Sequence, residues 1–324
     1  MHQSENTSID FKSLNSKLEE NLSTHLAKFG PRGNDKEIYR YSLIPAGKLF
    51  RPTLSALAYL EAIDDKIEQT SVLELFSAKT DISLYASFLE THHVYTLIHD
   101  DLPAMDNDVM RRGRAASHIK FNEWKALLTG DGMSILSFHL LSHIKGPRAI
   151  DLIRIATKYT GSNGLIYGQF LDLSEAMNES FENVKTTHLF KTARLIQLSL
   201  IGGQVIACGK INDQTKQFWR FGESIGLAFQ FLDDLDDLRE ENPHEQEINP
   251  WKKYKSECTS ELEKCLDYCR GFLENKPLLK SYIQSYLDKN SEMLKQNKAF
   301  YIANGFYEKE LLNILSRLDL VGHH

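Results

Sequence analysis

Two short runs of aspartate close segments that are otherwise apolar, a place where carboxylates are unexpected. HDDLPAMDND, residues 99–108, puts Asp100 and Asp101 at the end of one such segment, with Asp106 and Asp108 just past Pro103. DDLDD, residues 233–237, ends a second, and its Asp233 and Asp237 are spaced to stack one helical turn apart. Like charges that close repel unless a cation lies between them. Hard oxygen donors without cysteine suit Mg²⁺ bridged to phosphate oxygens better than zinc. Either run alone could be a solvated helix end, but two of them on apolar segments favour a metal role.

Metal-bound phosphates still have to be gripped, and the chain offers cations in compact groups. Lys48 and Arg51 lie in AGKLFRP (residues 46–52), Arg111 and Arg112 immediately precede Gly113, and Lys191 sits beside Thr192. Lys48 and Arg51 are expected in the first turn of a helix, where unpaired backbone amides add to their field. Arg111 and Arg112 follow the first acidic run closely enough to reach the same phosphates. Any one exposed basic pair is commonplace, so their joint occurrence carries the weight.

The elements that position these groups are helical. Phe218, Phe221, Ile225, Ala228, Phe229, Leu232 and Leu235 step mostly by three and four, and Leu189, Ala193, Ile196 and Leu200 repeat the pattern. Periodicity and punctuation predict helices near 8–28, 36–44, 49–62, 71–101, 123–144, 147–160, 163–177, 185–208, 213–239, 251–273, 278–295 and 303–318, with no alternating strand segments. Asp106 lies about 240° round an ideal helix from Asp100, so the two share a site only if the helix stops. Pro103 supplies that stop. Residues 239–249, rich in Glu, Gln and Asn around Pro243, form the longest expected loop. One helical domain over residues 1–321 is the simplest organisation, with Gly322, His323 and His324 taken as a tag remnant.

Composition narrows the function classes. The 324 residues, 42% apolar and 25% charged, are ordinary globular material. No stretch is apolar for the roughly 20 residues a membrane span needs, and the first residues are polar, so a cytoplasmic protein is expected. A net charge of −6 argues against a general nucleic-acid surface, so any anion must be held by local cations. Cys258, Cys265 and Cys269 share one helix face with no histidine close by, which suits packing better than a metal cluster.

Taken in order, the segments resemble the trans-prenyltransferases, the farnesyl and geranylgeranyl diphosphate synthases. The resemblance is carried by GKxxRP (47–52), HxYxLIHDDLPAMDND…RRG (93–113), Gly130 with Asp131, GQxxDL (168–173), Lys191 with Thr192, and GLAFQxxDDxxD (226–237). It is nearest to the bacterial type of farnesyl diphosphate synthase. It implies an all-α, single-domain, isoprenoid-synthase-type helical bundle with a central cavity, usually a homodimer. It also implies that Asp100, Asp101, Asp106, Asp233, Asp234 and Asp237 ligate three Mg²⁺ ions bound with an allylic diphosphate. Arg111 and Lys191 would hold that diphosphate, while Lys48, Arg51, His93 and Arg112 would take isopentenyl diphosphate. Lys191, Thr192 and Gln230 would face the allylic cation, and Tyr95 and Thr96 would limit chain length, an aromatic at Tyr95 favouring fifteen carbons.

The chain departs from that pattern at Ala46, Leu49 and Tyr167, and more seriously after Asp237. There LREENPHEQEINPWKK (238–253) replaces a glycine-rich lid and its lysine, and no residue takes over that lysine's place. Rival readings are a different chain length such as geranylgeranyl, an inactive regulatory homologue, and, outside the class, an HD-type metal phosphohydrolase built on His99 and Asp100.

Overall fold

The computed structural model describes residues 9–63, 69–174, 176–239 and 248–322. Most of the expected 239–249 loop, the segment in which the family lysine is missing, and His323 and His324 lie outside the described residues. The chain forms two compact units, one of Met1–Ala156 with Ser199–Ile211, the other of Thr157–Leu198 with Asn212–His324.

The first unit holds α1 (Phe11–Phe29), α2 (Lys36–Leu43), α3 (Phe50–Leu60), α4 (Gln69–Leu75), α5 (Asp81–Asp100), α6 (Ser117–Phe121) and α7 (Glu123–Ser142). It also contains the first part of α8 (Ala149–Thr160) and most of α11 (Arg194–Cys208). α5 is its axis, packed on α1, α2, α3 and α7. Leu22, Ile38, Leu43, Val94, Tyr95, Ile98, Met133 and Leu136 make one apolar cluster around it. Each such buried side chain contributes about 1.5–3 kcal/mol, enough to fix the end of α5 where the first aspartates sit.

The second unit contains α9 (Leu165–Leu173), a 3₁₀ turn (Ala176–Glu179), α10 (Phe181–His188), a π-helical segment (Leu189–Ala193) and α12 (Asp213–Asp237). After these come α13 (Pro250–Lys253), α14 (Lys255–Leu273), α15 (Pro277–Gln296), α16 (Lys298–Ala303) and α17 (Glu308–Leu318). α12 begins in a capping box in which Asn212 and Thr215 satisfy each other's backbone N–H. Its predicted stripe is the buried one: Phe218, Phe221, Ile225, Ala228, Leu232 and Leu235 are 0% exposed and Phe229 is 5% exposed. Phe272 of α14 stacks on Phe221 with ring centroids 4.4 Å apart.

Several predicted helices are shorter or divided: the 251–273 helix breaks at Tyr254 and the π segment divides the 185–208 helix, and three others change for a clear local reason. The expected 71–101 helix is two, because Thr80 is extended (φ −85°, ψ 152°) and its hydroxyl donates back to Ser77 O at 2.9 Å. Asp81 then ties down the N–H groups of Lys145 and Gly146. The 303–318 helix starts only at Glu308, since Gly305 adopts φ 85°, a conformation that ends a helix. The 163–177 helix stops at Leu173 and continues only as the 3₁₀ turn.

One feature contradicts the expectation of no strands. Met110–Arg111 pairs antiparallel with Arg114–Ala115. Arg112 (φ 54°) and Gly113 (φ 72°) both occupy the left-handed region, which is what a two-residue hairpin turn of right-handed twist requires. Two residues per strand are too few for alternation to register in a sequence. The cysteine expectation holds: Cys258, Cys265 and Cys269 are buried on α14, and burial raises each thiol pKa.

Candidate active site

In the first unit, α5 ends at Asp100 and the chain curls as Pro103 demands: Asp106 N–H donates to Asp100 O at 2.9 Å. Asp101 is 2% exposed. Arg111, arriving from the hairpin, donates from Nε to Asp101 Oδ1 at 2.8 Å and from Nη2 to Asp108 Oδ2 at 2.6 Å. Burial pushes the Asp101 carboxyl above its usual pKa, with Arg111 pulling the other way. Arg112, the next residue, goes elsewhere: its Nη2 donates to Glu90 Oε1 at 3.1 Å. The strained turn sends adjacent arginines to different carboxylates.

Beside it lies a cleft of about 590 Å³ lined by Gly47, Lys48, Arg51, Glu90, His93 and Leu97 together with Arg111, Arg112 and Arg114. The structure therefore gathers the four residues expected for isopentenyl diphosphate. Lys48 precedes rather than opens α3, because Leu49 caps it in a left-handed conformation (φ 50°), so only Arg51 sits in the first turn as expected. Gly47 leaves room for the guanidinium, since a Cβ there would lie 2.5 Å from Arg112 Cζ and push that side chain aside. Arg51 Nη1 donates to His93 Nε2 at 3.1 Å, which requires that ring nitrogen to be an acceptor.

Burial, reinforced by Arg51 and Arg112, holds the His93 pKa well below its ordinary value, and burial takes His92 to about 3. Below about pH 6.5 the unfolded chain takes up protons that these folded rings refuse, so stability falls as pH falls, by up to about 1.4 kcal/mol per pH unit for each ring. A melting temperature that is flat between pH 7 and 9 and declines from pH 6.5 to 4.5 is the expected result. His93→Gln should make that decline shallower, as differential scanning fluorimetry would register.

Tyr95, expected to limit chain length, is 8% exposed and lies edge-on to His92 and His99, with centroids 4.5 and 5.8 Å away. Thr96 is half-buried and donates to His93 O. His99 Nε2 lies 3.1 Å from Leu127 O and 3.6 Å from Asp131 Oδ1, with Gly130 leaving it room.

In the second unit, Lys191 and Thr192 sit in the π segment, and Lys191 pairs with Asp172. A π bulge at such a place often marks function. Two glycines grip it: a Cβ on Gly168 would overlap the Lys191 backbone, and one on Gly226 would come 2.5 Å from Ala193 Cβ. Thr192 Oγ1 donates to Gln230 Oε1 (2.8 Å), and Gln230 Nε2 donates to Asp234 Oδ1 (3.1 Å). His188 Nε2 lies 2.8 Å from Asp234 Oδ2, out of line for a hydrogen bond, so that buried oxygen has an imidazole nearby but no directed donor.

The six aspartates divide in the same way in both motifs. Asp101 and Asp234 are buried against basic or amide partners, while Asp106, Asp233 and Asp237 are exposed and Asp100 is half-buried. Among the described residues no three or more His, Cys, Asp or Glu side chains are gathered into a metal cage. Mg²⁺ needs none, because it keeps waters and is typically held by one or two carboxylates plus substrate phosphates. Accessible, sulfur-free carboxylates and an undonated Asp234 oxygen fit such an ion.

Sequence reasoning missed Glu90, Arg114, His188 and Tyr286, whose hydroxyl donates to Asp233 Oδ1 at 3.2 Å. Only spacing could have pointed to one of them, Glu90 lying one turn from His93.

The family model for polyprenyl synthetase matches residues 35–248. The chain is 34% identical over 222 residues to a geranylgeranyl diphosphate synthase of Cyanophora paradoxa, covering 66% of this chain and 69% of that protein. It is 34% identical over 206 residues to a farnesyl diphosphate synthase of Micrococcus luteus, covering 62% of this chain and 66% of that one. A solved geranyltransferase from Legionella pneumophila superposes with a TM-score of 0.67 at 26% identity, over 90% of this chain and 97% of that structure. An FPP/GFPP synthase from Zymomonas mobilis gives 0.66 at 25% identity, over 81% and 91%. With both acidic motifs, the arginine hairpin and the lysine–threonine bulge inside the matched stretch, the chain belongs to the polyprenyl synthetase family of prenyltransferases.

Proposed function

We propose that this protein condenses isopentenyl diphosphate with dimethylallyl or geranyl diphosphate, head to tail, to give farnesyl diphosphate. The observation that carries this reading is the cleft of the first unit, where Lys48, Arg51, Arg111, Arg112 and Arg114 converge in a chain of net charge −6. So dense a cationic lining suits a multiply charged anion such as a diphosphate. Lys48, Arg51, Arg112 and neutral His93 bind isopentenyl diphosphate. Arg111 and Lys191 hold the allylic diphosphate, with Asp100, Asp101, Asp106, Asp233, Asp234 and Asp237 as the carboxylate set for Mg²⁺. When bound, Mg²⁺ would supply the positive charge that a departing diphosphate requires. Thr192, Gln230 and the carbonyls of the π segment present fixed dipoles to the allylic carbon as its charge develops. That carbon has to meet an alkene rather than water, so the reaction requires water to be kept from it.

Fifteen carbons are favoured because the buried Tyr95 ring occupies space just over one turn before Asp100, where a longer chain would have to pass. We take residues 1–321 as one functional domain, since the matched stretch runs from one compact unit into the other. A homodimer agrees with the exposed apolar face of α7, where Trp124, Leu128 and Ile135 are 60%, 58% and 70% exposed. No described helix is long and apolar enough to cross a membrane, and we place the protein in the cytoplasm.

The test incubates the protein with Mg²⁺, radiolabelled isopentenyl diphosphate and each allylic diphosphate, and sizes the products. A fifteen-carbon product is expected. A twenty-carbon product replaces the chain-length reading, and no organic product with any short allylic substrate overturns the activity.

A further inference from the structure

Within the cationic cleft stands one acidic side chain that no substrate role explains. Glu90 lines it one turn before His93 and two before Leu97 on α5. It is 2% exposed and accepts from Arg112 Nη2 at 3.1 Å. A carboxylate buried in an anion-binding cleft opposes the ligand through space and is costly to desolvate, so as a stabilising device alone it is poor. Its use lies in direction. Arg112 leaves the hairpin from a left-handed backbone, and Gly47 leaves room for its guanidinium without holding it. Of these neighbours only Glu90 offers a charged acceptor, which sets the plane of a five-donor fork.

We infer that Glu90 is a positioning residue: it orients the Arg112 guanidinium so that the fork meets the diphosphate of isopentenyl diphosphate. This rests on the substrate assignment proposed above. A long flexible arginine without that anchor still attracts an anion, but from many rotamers, and loses binding energy when it must settle on one. The arrangement pairs two of the cleft's arginines with residues on α5, Arg51 with His93 and Arg112 with Glu90.

Glu90→Gln keeps the shape and an acceptor oxygen while removing the charge, and Glu90→Ala removes the anchor. Steady-state kinetics of the full chain should show KM for isopentenyl diphosphate rising about tenfold in Glu90→Ala. The rise should be smaller in Glu90→Gln, and in both it should exceed the changes in kcat and in KM for geranyl diphosphate. Thermal stabilisation by inorganic diphosphate without metal should weaken in parallel. If Glu90→Ala does not fold, Glu90→Gln carries the test with the same ordering of effects. A lower melting temperature with both KM values shifted alike, or no selective shift at all, overturns the positioning role while leaving the activity standing. A wild-type protein that neither condenses the substrates nor is stabilised by diphosphate overturns the substrate assignment itself.

Discussion

Asp100→Ala and Asp233→Ala are each expected to lower turnover by about three orders of magnitude while the fold persists. Asp100 is half-buried at the end of α5 and Asp233 is exposed on α12, so truncating either opens no cavity in an apolar core. What is lost is a hard oxygen donor where diphosphate charge must be neutralised, an effect of about 4 kcal/mol on the barrier. Saturating Mg²⁺ should recover only part of the rate. Steady-state rates across a Mg²⁺ titration, with melting curves of the same preparations, check this. Near wild-type turnover in either variant would remove the acidic motifs from the chemistry. Asp101→Ala is a poorer probe. It strips Arg111 of a 2.8 Å partner at a buried position, so stability and rate fall together.

Gly168→Ala is expected to be nearly as damaging with no change in charge or hydrogen-bonding groups. The added methyl carbon would overlap the Lys191 backbone nitrogen and approach Phe190 C to 2.6 Å and Lys191 Cα to 2.8 Å. All three are backbone atoms, which cannot rotate aside. Overpacking of this kind costs about 1–3 kcal/mol in stability. Displacing Lys191 and Thr192 by even 1 Å costs about a hundredfold in rate. Gly271→Ala on α14 is the matched control, because nothing lies within 4 Å of its added carbon. That substitution should leave the rate intact and raise stability by about 0.5–1 kcal/mol. Equal behaviour of the two variants would show that the π segment has room to adjust.

Much of the site was readable before folding was considered, because its motifs are local. Asp100 and Asp101 on one apolar segment and Asp233 to Asp237 on another declare themselves as carboxylates ending segments that are otherwise apolar. The stop at Pro103 follows from proline's missing N–H and the clash it imposes on the residue before it. The α12 stripe followed from a period of 3.6 alone.

What the linear order left open were choices between partners far apart in sequence. Arg111 and Arg112 are adjacent and chemically identical, and only the hairpin's left-handed turn sends one to Asp101 and the other to Glu90. The extra residue of the π segment has no signature of its own, since Gly168 and Gly226 hold it from other helices. Asp101 and Asp234 became the buried aspartates through Arg111 and His188, separated from them by 10 and by 46 positions. The sequence determined which residue types were available and on which helices. Their pairing and exposure came only with tertiary structure, because a hydrogen bond's direction depends on where two backbones meet.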